Sequence, residues 1–269
     1  MKNLVIGNTS QLSYYFPNDY IKISSRNIEF TNEQYDRVYI CFAEQRTYIQ
    51  NNKNIFYDTN IDYTSNLIDY YSNYSNKIIV YGTSELWNNC NCAIDIQTPF
   101  NYKSTDYIDS KKFMIEKIKN NYENVIVLHP FNFNSIHRKS GFLFSKIFDS
   151  IIYEKHITIG NTYFYRELLH PKFVVEQSIK ATEDQVIGSG RVIFVNDFIR
   201  SLYSYFSMSY DDFVTEDIKE SFTSNEKIFY LKSKQFLYNN LYNDTIREIE
   251  NIKYKIKPEL FGTPLKNNY

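Results

Sequence analysis

Two short runs, Ile78–Tyr81 and Val125–Leu128, are apolar at every position and break off into polar residues at both ends. A strand with one wet face alternates polar and apolar residues. A strand that is apolar throughout is covered on both faces, as in a parallel sheet. Leu4–Ile6, Tyr20–Ser24 and Val38–Phe42 read as three more strands. Helical patterns lie between them, at Ser10–Phe16, Thr64–Ser72 and Thr105–Asn120. Alternation of this kind predicts an α/β fold with a doubly wound parallel sheet. Ligands of such sheets bind at the carboxyl ends of the strands. Beyond about residue 131 the pattern loosens. Residues 140–152, 196–207 and about 233–250 read as helices of a smaller lobe.

The chain has 269 residues, enough for one large domain or two joined lobes. A formal net charge of −1 gives no basic field for nucleic acid. The 26 Tyr and 21 Phe could be stacking platforms for RNA, but they rise together with Asn, Ile and Lys along the whole chain, which reads as a compositional bias. Of the three cysteines, Cys90 and Cys92 are one residue apart, without a second Cys or His pair nearby, so neither a zinc site nor a disulfide framework is expected. The start reads as a strand, not a signal peptide, and no apolar run approaches the roughly eighteen residues of a membrane span. These features point to a reduced, cytoplasmic protein without metal, membrane or nucleic-acid partners.

Four groups of residues carry chemistry. The turn Gly7-Asn8-Thr9-Ser10-Gln11-Leu12 follows the first strand and could receive a pyrophosphate at a helix N-terminus. Only Gly7 of the usual three glycines is present; Ser10 and Ser13 stand at the other two places. The second strand ends in Ser24-Ser25-Arg26, with no acid to grip a ribose diol. Arg26 can hold a 2′-phosphate, which favours NADP over NAD, or it is a solvated loop cation. Tyr107 and Lys111 are spaced to share one helix face, where the ammonium would lower the phenol's pKa and make it an acid–base group. Tyr230 and Lys234 repeat the spacing and read as chance. Thr83, just after the Ile78–Tyr81 strand, can share the substrate oxygen with Tyr107.

The order Gly-turn, strand with Thr83-Ser84-Glu85, Tyr107-x-x-x-Lys111, and strand with Pro130-Phe131-Asn132 resembles the extended short-chain dehydrogenase/reductases, the NAD-dependent epimerase/dehydratase family. Within them the chain is most similar to the GDP-mannose 4,6-dehydratases. Gly7-Asn8-Thr9-Ser10-Gln11 is similar to their Gly-Ile-Thr-Gly-Gln, Thr83-Ser84-Glu85-Leu86 to their Thr-Ser-Glu-Leu, and Phe131–Arg138 to their Phe-Asn-His-Glu-Ser-Pro-Arg-Arg. The resemblance covers roughly residues 1–205. It implies a Rossmann-like NAD(P)-binding domain over 1–135, with 158–196 returning to it, and a substrate lobe over 136–157 and 197–269. It implies oxidation at C4 of a nucleotide-sugar, with 4,6-dehydration of a GDP-sugar favoured and NADP (or NAD) as cofactor. Tyr107 takes the C4 hydroxyl proton, Thr83 supports that oxygen, and Lys111 tunes Tyr107 and holds the cofactor ribose. Glu85 removes the C5 proton. Ser84 and Asn132 contact substrate. Gly7, Thr9, Ser10, Gln11, Leu12, Arg26 and Arg138 hold the cofactor.

Departures from the family leave alternatives open. Phe133 replaces its His, and the interval between Arg26 and Asp36 is too short for a helix, leaving Ile28–Phe30 as at most a stub of a third strand. A 4-keto-sugar reductase or epimerase needs only Thr83, Tyr107 and Lys111. A non-catalytic nucleotide-binding relative would fit the eroded turn. The Tyr107 helix carries more apolar residues than one packing stripe needs, around Phe113 and Ile115, and with Thr64–Ser72 suggests a homodimer about a two-fold axis.

Overall fold

A computed structural model describes residues 2–26, 28–46, 53–217, 228–232 and 239–256. Six parallel strands form the central sheet: β1 (Lys2–Ile6), β2 (Ile21–Ile23), β3 (Tyr35–Ile40), β4 (Ser75–Tyr81), then Val125–Pro130 and Gln185–Ile187. Their spatial order is Gln185–Ile187, Val125–Pro130, β4, β3, β1, β2. Every pairing is parallel, so this is the Rossmann-like α/β architecture expected from the apolar runs. Ile78, Ile79 and Val80 are consecutive and all buried, which requires cover on both faces. The chain winds outward from β1 to β2 and then crosses to β3 on the other side. The switch point therefore lies between β1 and β3, where Gly7 and Cys41 leave the sheet.

Helices α1 (Lys53–Tyr57) and α2 (Thr64–Tyr71), joined by a wider π-type stretch Asp58–Tyr63, run between β3 and β4. Helix α3 (Asp106–Asn121) starts at Thr105, whose hydroxyl accepts from Ile108 N at 3.2 Å. Asp106 and Asp109 in its first turn and Lys119 in its last suit the helix dipole. Its buried residues Ile108, Lys111, Met114, Ile115 and Ile118 leave Phe113 as the exposed apolar side chain, 47% accessible beside Tyr57. The helical segment before β4 thus contacts α3 within one chain.

A second apolar core is separate from that of the sheet. It gathers α4 (Leu143–Tyr153), α6 (Val195–Tyr205), α7 (Tyr210–Phe213) and α8 (Leu241–Ile256) around Ile147, Ile151, Ile199, Leu202 and Ile249. Helix α5 (Pro171–Lys180) packs on the sheet instead, and the sequence reading does not anticipate it. Its start is set by Pro171 and by His170, whose side chain accepts from Lys172 N. The helix expected near 233–250 is found as α8; residues 233–238, Lys234 among them, lie outside the described residues.

One expectation fails. No regular helix follows β1: residues 8–15 form successive tight turns, in which Ser10, Ser13 and Tyr15 N–H groups donate to Gly7, Ser10 and Leu12 carbonyls. Ser and aromatic residues are weak helix formers, and Pro17 follows immediately. The short interval after Arg26 leaves Ile28–Phe30 without a strand: residues 28–34 are irregular and Phe30 packs on Tyr70. A parallel crossover needs about a dozen residues, more than this interval holds, and β2 remains the sheet edge. Among the described residues no helix is long and apolar enough to cross a membrane.

The loop after Gln185–Ile187 is anchored by a buried carboxylate. Glu167 Oε1 accepts from the Ser189 and Gly190 backbone N–H groups, and its Oε2 accepts from Leu231 N at 2.8 Å. Gly188 passes so close that a Cβ there would stand 2.5 Å from Oε1 and 2.8 Å from Leu231 Cβ. Because three donors fix the carboxylate, it cannot swing aside. Gly188→Ala is expected to cost about 2 kcal/mol, on the scale of core overpacking. Gly160→Ala, where nothing lies within 4 Å of the added carbon, should leave thermal unfolding almost unmoved. Scanning calorimetry of both variants checks the contrast.

Candidate active site

The carboxyl ends of β1, β3 and β4 bring the site together. At the end of β4, Thr83 adopts extended backbone and its hydroxyl accepts from Glu85 N at 3.2 Å, opening a short 3₁₀ turn over Ser84–Trp87. His129 holds this turn from behind. Its ring fills the space a side chain at residue 82 would need, packs edge-on to Trp87, and its Nδ1 donates to the Thr83 carbonyl at 3.4 Å. Burial lowers the His129 pKa to about 4, so the ring is neutral near pH 7.

Tyr107 sits in the first turn of α3, half-buried, with its phenol electrostatically coupled to Thr83, Glu85 and Arg138. Burial pushes the phenol up to about 12, with the Glu85 carboxylate adding to the rise, while Thr83 and the Arg138 guanidinium pull it down. Glu85 is partly exposed, and its Oε2 accepts from Asn88 Nδ2 at 3.4 Å. Ser84 is buried behind it.

Lys111 is one turn further along α3 and 3% exposed. Its Nζ donates to the Tyr81 carbonyl at 2.7 Å, and burial lowers its pKa to about 7. The cation acting electrostatically on Tyr107 is Arg138, whose guanidinium stacks on Phe142 at 3.9 Å. The Arg138 Nε is buried without a hydrogen-bond partner, and burial lowers the group's pKa to about 10 against the opposing pull of Tyr107.

The first turn is the other half of the cleft. Gly7 has φ +105°, a left-handed conformation that favours glycine, and an added Cβ would touch the Cys41 carbonyl carbon at 3.3 Å. Gly7 N and Asn8 N donate to Ile23 O, and the Ser13 hydroxyl to Gly7 O at 2.6 Å. Thr9 is exposed and Ser10 partly so. Leu12 is in the core, and Gln11 is tied up by Phe133 O and the Ser135 hydroxyl. Arg26 is exposed at the end of β2. Asn132 is exposed in a two-residue strand paired with Leu168–Leu169.

Residues the sequence reading did not single out brace the cleft. Asn60, buried in the π-type stretch, accepts from Glu44 N and donates to Glu44 O and to Ser110 Oγ, which in turn donates to Tyr107 O. It couples the loop after β3, where Glu44 and Arg46 form a bidentate pair, to the first turn of α3. Glu248 of α8 accepts from Tyr15 and from Ile136 N at 3.3 Å, and lies 3.2 Å from His170 Nε2. That carboxylate clasps the second core to the first turn. The available signal for Glu44 was its position past a buried strand at the switch point; for Glu248, a lone acid on an amphipathic helix, there was none. Among the described residues no cluster of His, Cys, Asp and Glu is arranged to hold a metal ion.

The buried Lys111 has a measurable consequence. Its pKa is lower in the fold than in the unfolded chain, so between about pH 7 and the ordinary lysine range the unfolded state binds more protons and stability rises with pH. A Lys111→Met variant lacks this term. Its advantage in unfolding free energy over wild type should be largest below pH 7 and shrink as pH rises toward 10, as read by denaturant titrations across that range.

Solved structures share this architecture at low sequence identity. RMD from Pseudomonas aeruginosa, complexed with NADPH, superposes with a TM-score of 0.75 at 12% identity, over 95% of this chain and 100% of that one. A UDP-N-acetylglucosamine 4-epimerase from Methanobrevibacter ruminantium gives 0.74 at 13% identity, over 96% and 98%. The dTDP-glucose 4,6-dehydratase DesIV from Streptomyces venezuelae, with NAD bound, gives 0.73 at 13%, over 97% and 98%. No curated protein matches the chain by sequence. Residues 17–195 match the NAD dependent epimerase/dehydratase family, and the chain belongs to that family.

Proposed function

We propose that the protein is a nicotinamide-dependent oxidoreductase of nucleotide-sugar biosynthesis that acts at sugar C4, with 4,6-dehydration of a GDP-sugar as the preferred outcome. The observation that carries the reading is the Thr83 hydroxyl at the carboxyl end of β4 with Glu85 in the turn that follows, both acting on the Tyr107 phenol of α3. Tyr107 in its phenolate form takes the C4 hydroxyl proton, and the Thr83 hydroxyl holds the same oxygen. Glu85 then removes the C5 proton, acidified by the new C4 ketone, and assists departure of the C6 hydroxyl. The exposed Asn132 would add a substrate contact, whereas Ser84 is buried behind the turn. The second core, with its helices α4, α6 and α8, forms the substrate lobe.

The residues present fit a dinucleotide, NADP in preference to NAD. The left-handed turn at Gly7 leaves the backbone open at the switch point, where a Cβ would close on Cys41. Ser24, Ser25 and the exposed Arg26 offer hydrogen bonds and charge for a 2′-phosphate, whereas Lys111, expected at the ribose nearest the reaction, is buried with its Nζ on the Tyr81 carbonyl. Gly7, Thr9 and Ser10 would line the pyrophosphate; of the other residues expected there, Leu12 is in the core, Gln11 is bonded to the Phe133 carbonyl and the Ser135 hydroxyl, and Arg138 lies on Phe142. Without a helix after β1 the macrodipole contribution is missing, so binding is weaker than in relatives with a full glycine turn. When bound, the cofactor accepts and returns a hydride.

Incubation with NADP⁺ or NAD⁺ and a panel of GDP-, dTDP- and UDP-hexoses, followed by mass spectrometry, should yield a 4-keto-6-deoxy product from one of them. Absence of turnover across the panel with cofactor bound would remove dehydration. Glu85→Gln should then lose on the order of 10²–10⁴-fold in rate. The Glu85 contact with Asn88 favours a second reading, a 4-keto-sugar reductase or epimerase that uses Thr83 and Tyr107 alone. In that case Glu85→Gln barely changes turnover, and a supplied 4-keto sugar consumes NADPH.

A homodimer belongs to the same proposal, with Phe113 on α3 as the apolar contact. Light scattering at micromolar concentration should give twice the chain mass for wild type and one chain mass, 32.2 kDa, for Phe113→Glu.

A further inference from the structure

We propose that Tyr63 is a positioning residue that sets the preference for NADP over NAD, by holding the Ser24-Ser25-Arg26 turn at the end of β2 in shape for a 2′-phosphate. The inference rests on the reading of that turn as the 2′-phosphate site. β2 is the sheet edge, and its connector to β3 is too short for a crossover helix, so residues 28–34 are irregular. A turn that must grip a dianion therefore has no strand beyond it and no helix after it to keep its form.

Two phenols from the helical segment before β4 take over that task. Tyr63 is the last residue of the π-type stretch Asp58–Tyr63, and Tyr70 follows it by seven residues, two helical turns, on the same side. Tyr70 Oη donates to Thr31 O at 2.8 Å and its ring packs 4.4 Å from Phe30, pinning the far part of the connector. Tyr63 Oη donates to Ser25 O at 2.6 Å, within the candidate phosphate turn. Its ring lies 5.3 Å from that of Phe42, and a Cβ added to Gly7 would meet the same Phe42 at 3.4 Å. Tyr63 thus bridges the loops that follow β2 and β3, on either side of the switch point. The turn is also closed from within, since Arg26 N donates to the Ser24 hydroxyl oxygen at 3.0 Å. That bond uses Ser24 as an acceptor and leaves its own O–H to donate to an anion. The Tyr63 phenol occupies the Ser25 carbonyl, an acceptor that would repel a phosphate if it swung into the site. Fixing this backbone also lowers the entropy lost when the exposed Arg26 settles on a ligand. NAD, without a 2′-phosphate, gains little from the same order.

Isothermal titration calorimetry of the full chain with NADPH and with NADH tests this without substrate or turnover. Wild type should bind NADPH more tightly. Tyr63→Phe keeps the ring on Phe42 and removes only the donor. It should lower the ratio of NADPH to NADH affinity roughly threefold to tenfold, the scale of one hydrogen bond. Tyr70→Phe removes the matching bond to Thr31, outside the phosphate turn, and should leave the ratio where it was, which separates positioning from general loosening of the connector. Arg26→Gln should abolish the preference, and Tyr63→Phe added to it should change the ratio no further, because the phenol acts through that arginine's turn. An unchanged ratio in a Tyr63→Phe variant with a normal melting curve, an equal fall in Tyr70→Phe, or a full Tyr63→Phe effect in the Arg26→Gln background overturns the proposal. Failure of the cofactor reading looks different. A wild type that binds neither nucleotide, or prefers NADH, removes the 2′-phosphate site before any variant is made, and the proposal with it.

Discussion

Burying both faces of a parallel sheet leaves its strand ends as the places where polar side chains can gather without losing all their water. Everything in this molecule's cleft follows from that constraint. β1, β3 and β4 are apolar through their inner lengths, and each releases its first polar groups at its carboxyl end: Gly7 with Asn8, Glu44 past Cys41, and Thr83 with Glu85. Parallel pairing puts these three ends side by side. Helix α3, returning over the sheet, lowers Tyr107 onto Thr83. The sheet does not merely carry the site, because its order fixes which loops can meet.

The polar groups that do go inside are paired off with care. Glu167 takes backbone donors from two separate segments, Asn60 bonds to a loop and a helix at once, and Lys111 uses a strand-end carbonyl. Each exchange replaces water with a protein partner and keeps the desolvation cost small. Arg138 Nε, like Tyr39 Oη and Thr245 Oγ1, departs from that pattern as a buried polar atom without a hydrogen-bond partner, its guanidinium lying flat on Phe142.

The shortened nucleotide half shows how the fold tolerates loss. With no third strand and no helix after β1, the turn from Gly7 to Phe16 has little secondary structure to hold it. Its rigidity comes from elsewhere: Ser13 closes on Gly7 O, Gln11 reaches the Phe133–Ser135 segment, and Tyr15 bonds Glu248 of α8. The second core thus does for this turn what a helix and a neighbouring strand do in a complete sheet.

Much of this was legible from residues alone. Continuous apolar runs determined the parallel sheet, because a strand buried on both faces tolerates nothing else, and the helical pattern over Thr105–Asn120 marked α3. The order of Gly7, Thr83-Ser84-Glu85 and Tyr107-x-x-x-Lys111 selected the residues that meet at the strand ends. Sequence spacing could not say where the side chains point. Tyr107 and Lys111 share a helix face by number, yet one phenol turns up to Thr83 and one ammonium turns down to Tyr81 O, since burial makes each seek its nearest partner. Nor could spacing show that Ser10–Phe16 stays a chain of turns, because local propensity there is weak and contacts with α8 and the Phe133 loop decide it. The electrostatic influence of Arg138 on Tyr107 joins segments thirty-one positions apart in the chain. Such long-range charge placement depends on how the loops fold over the sheet, and only the tertiary structure decides it.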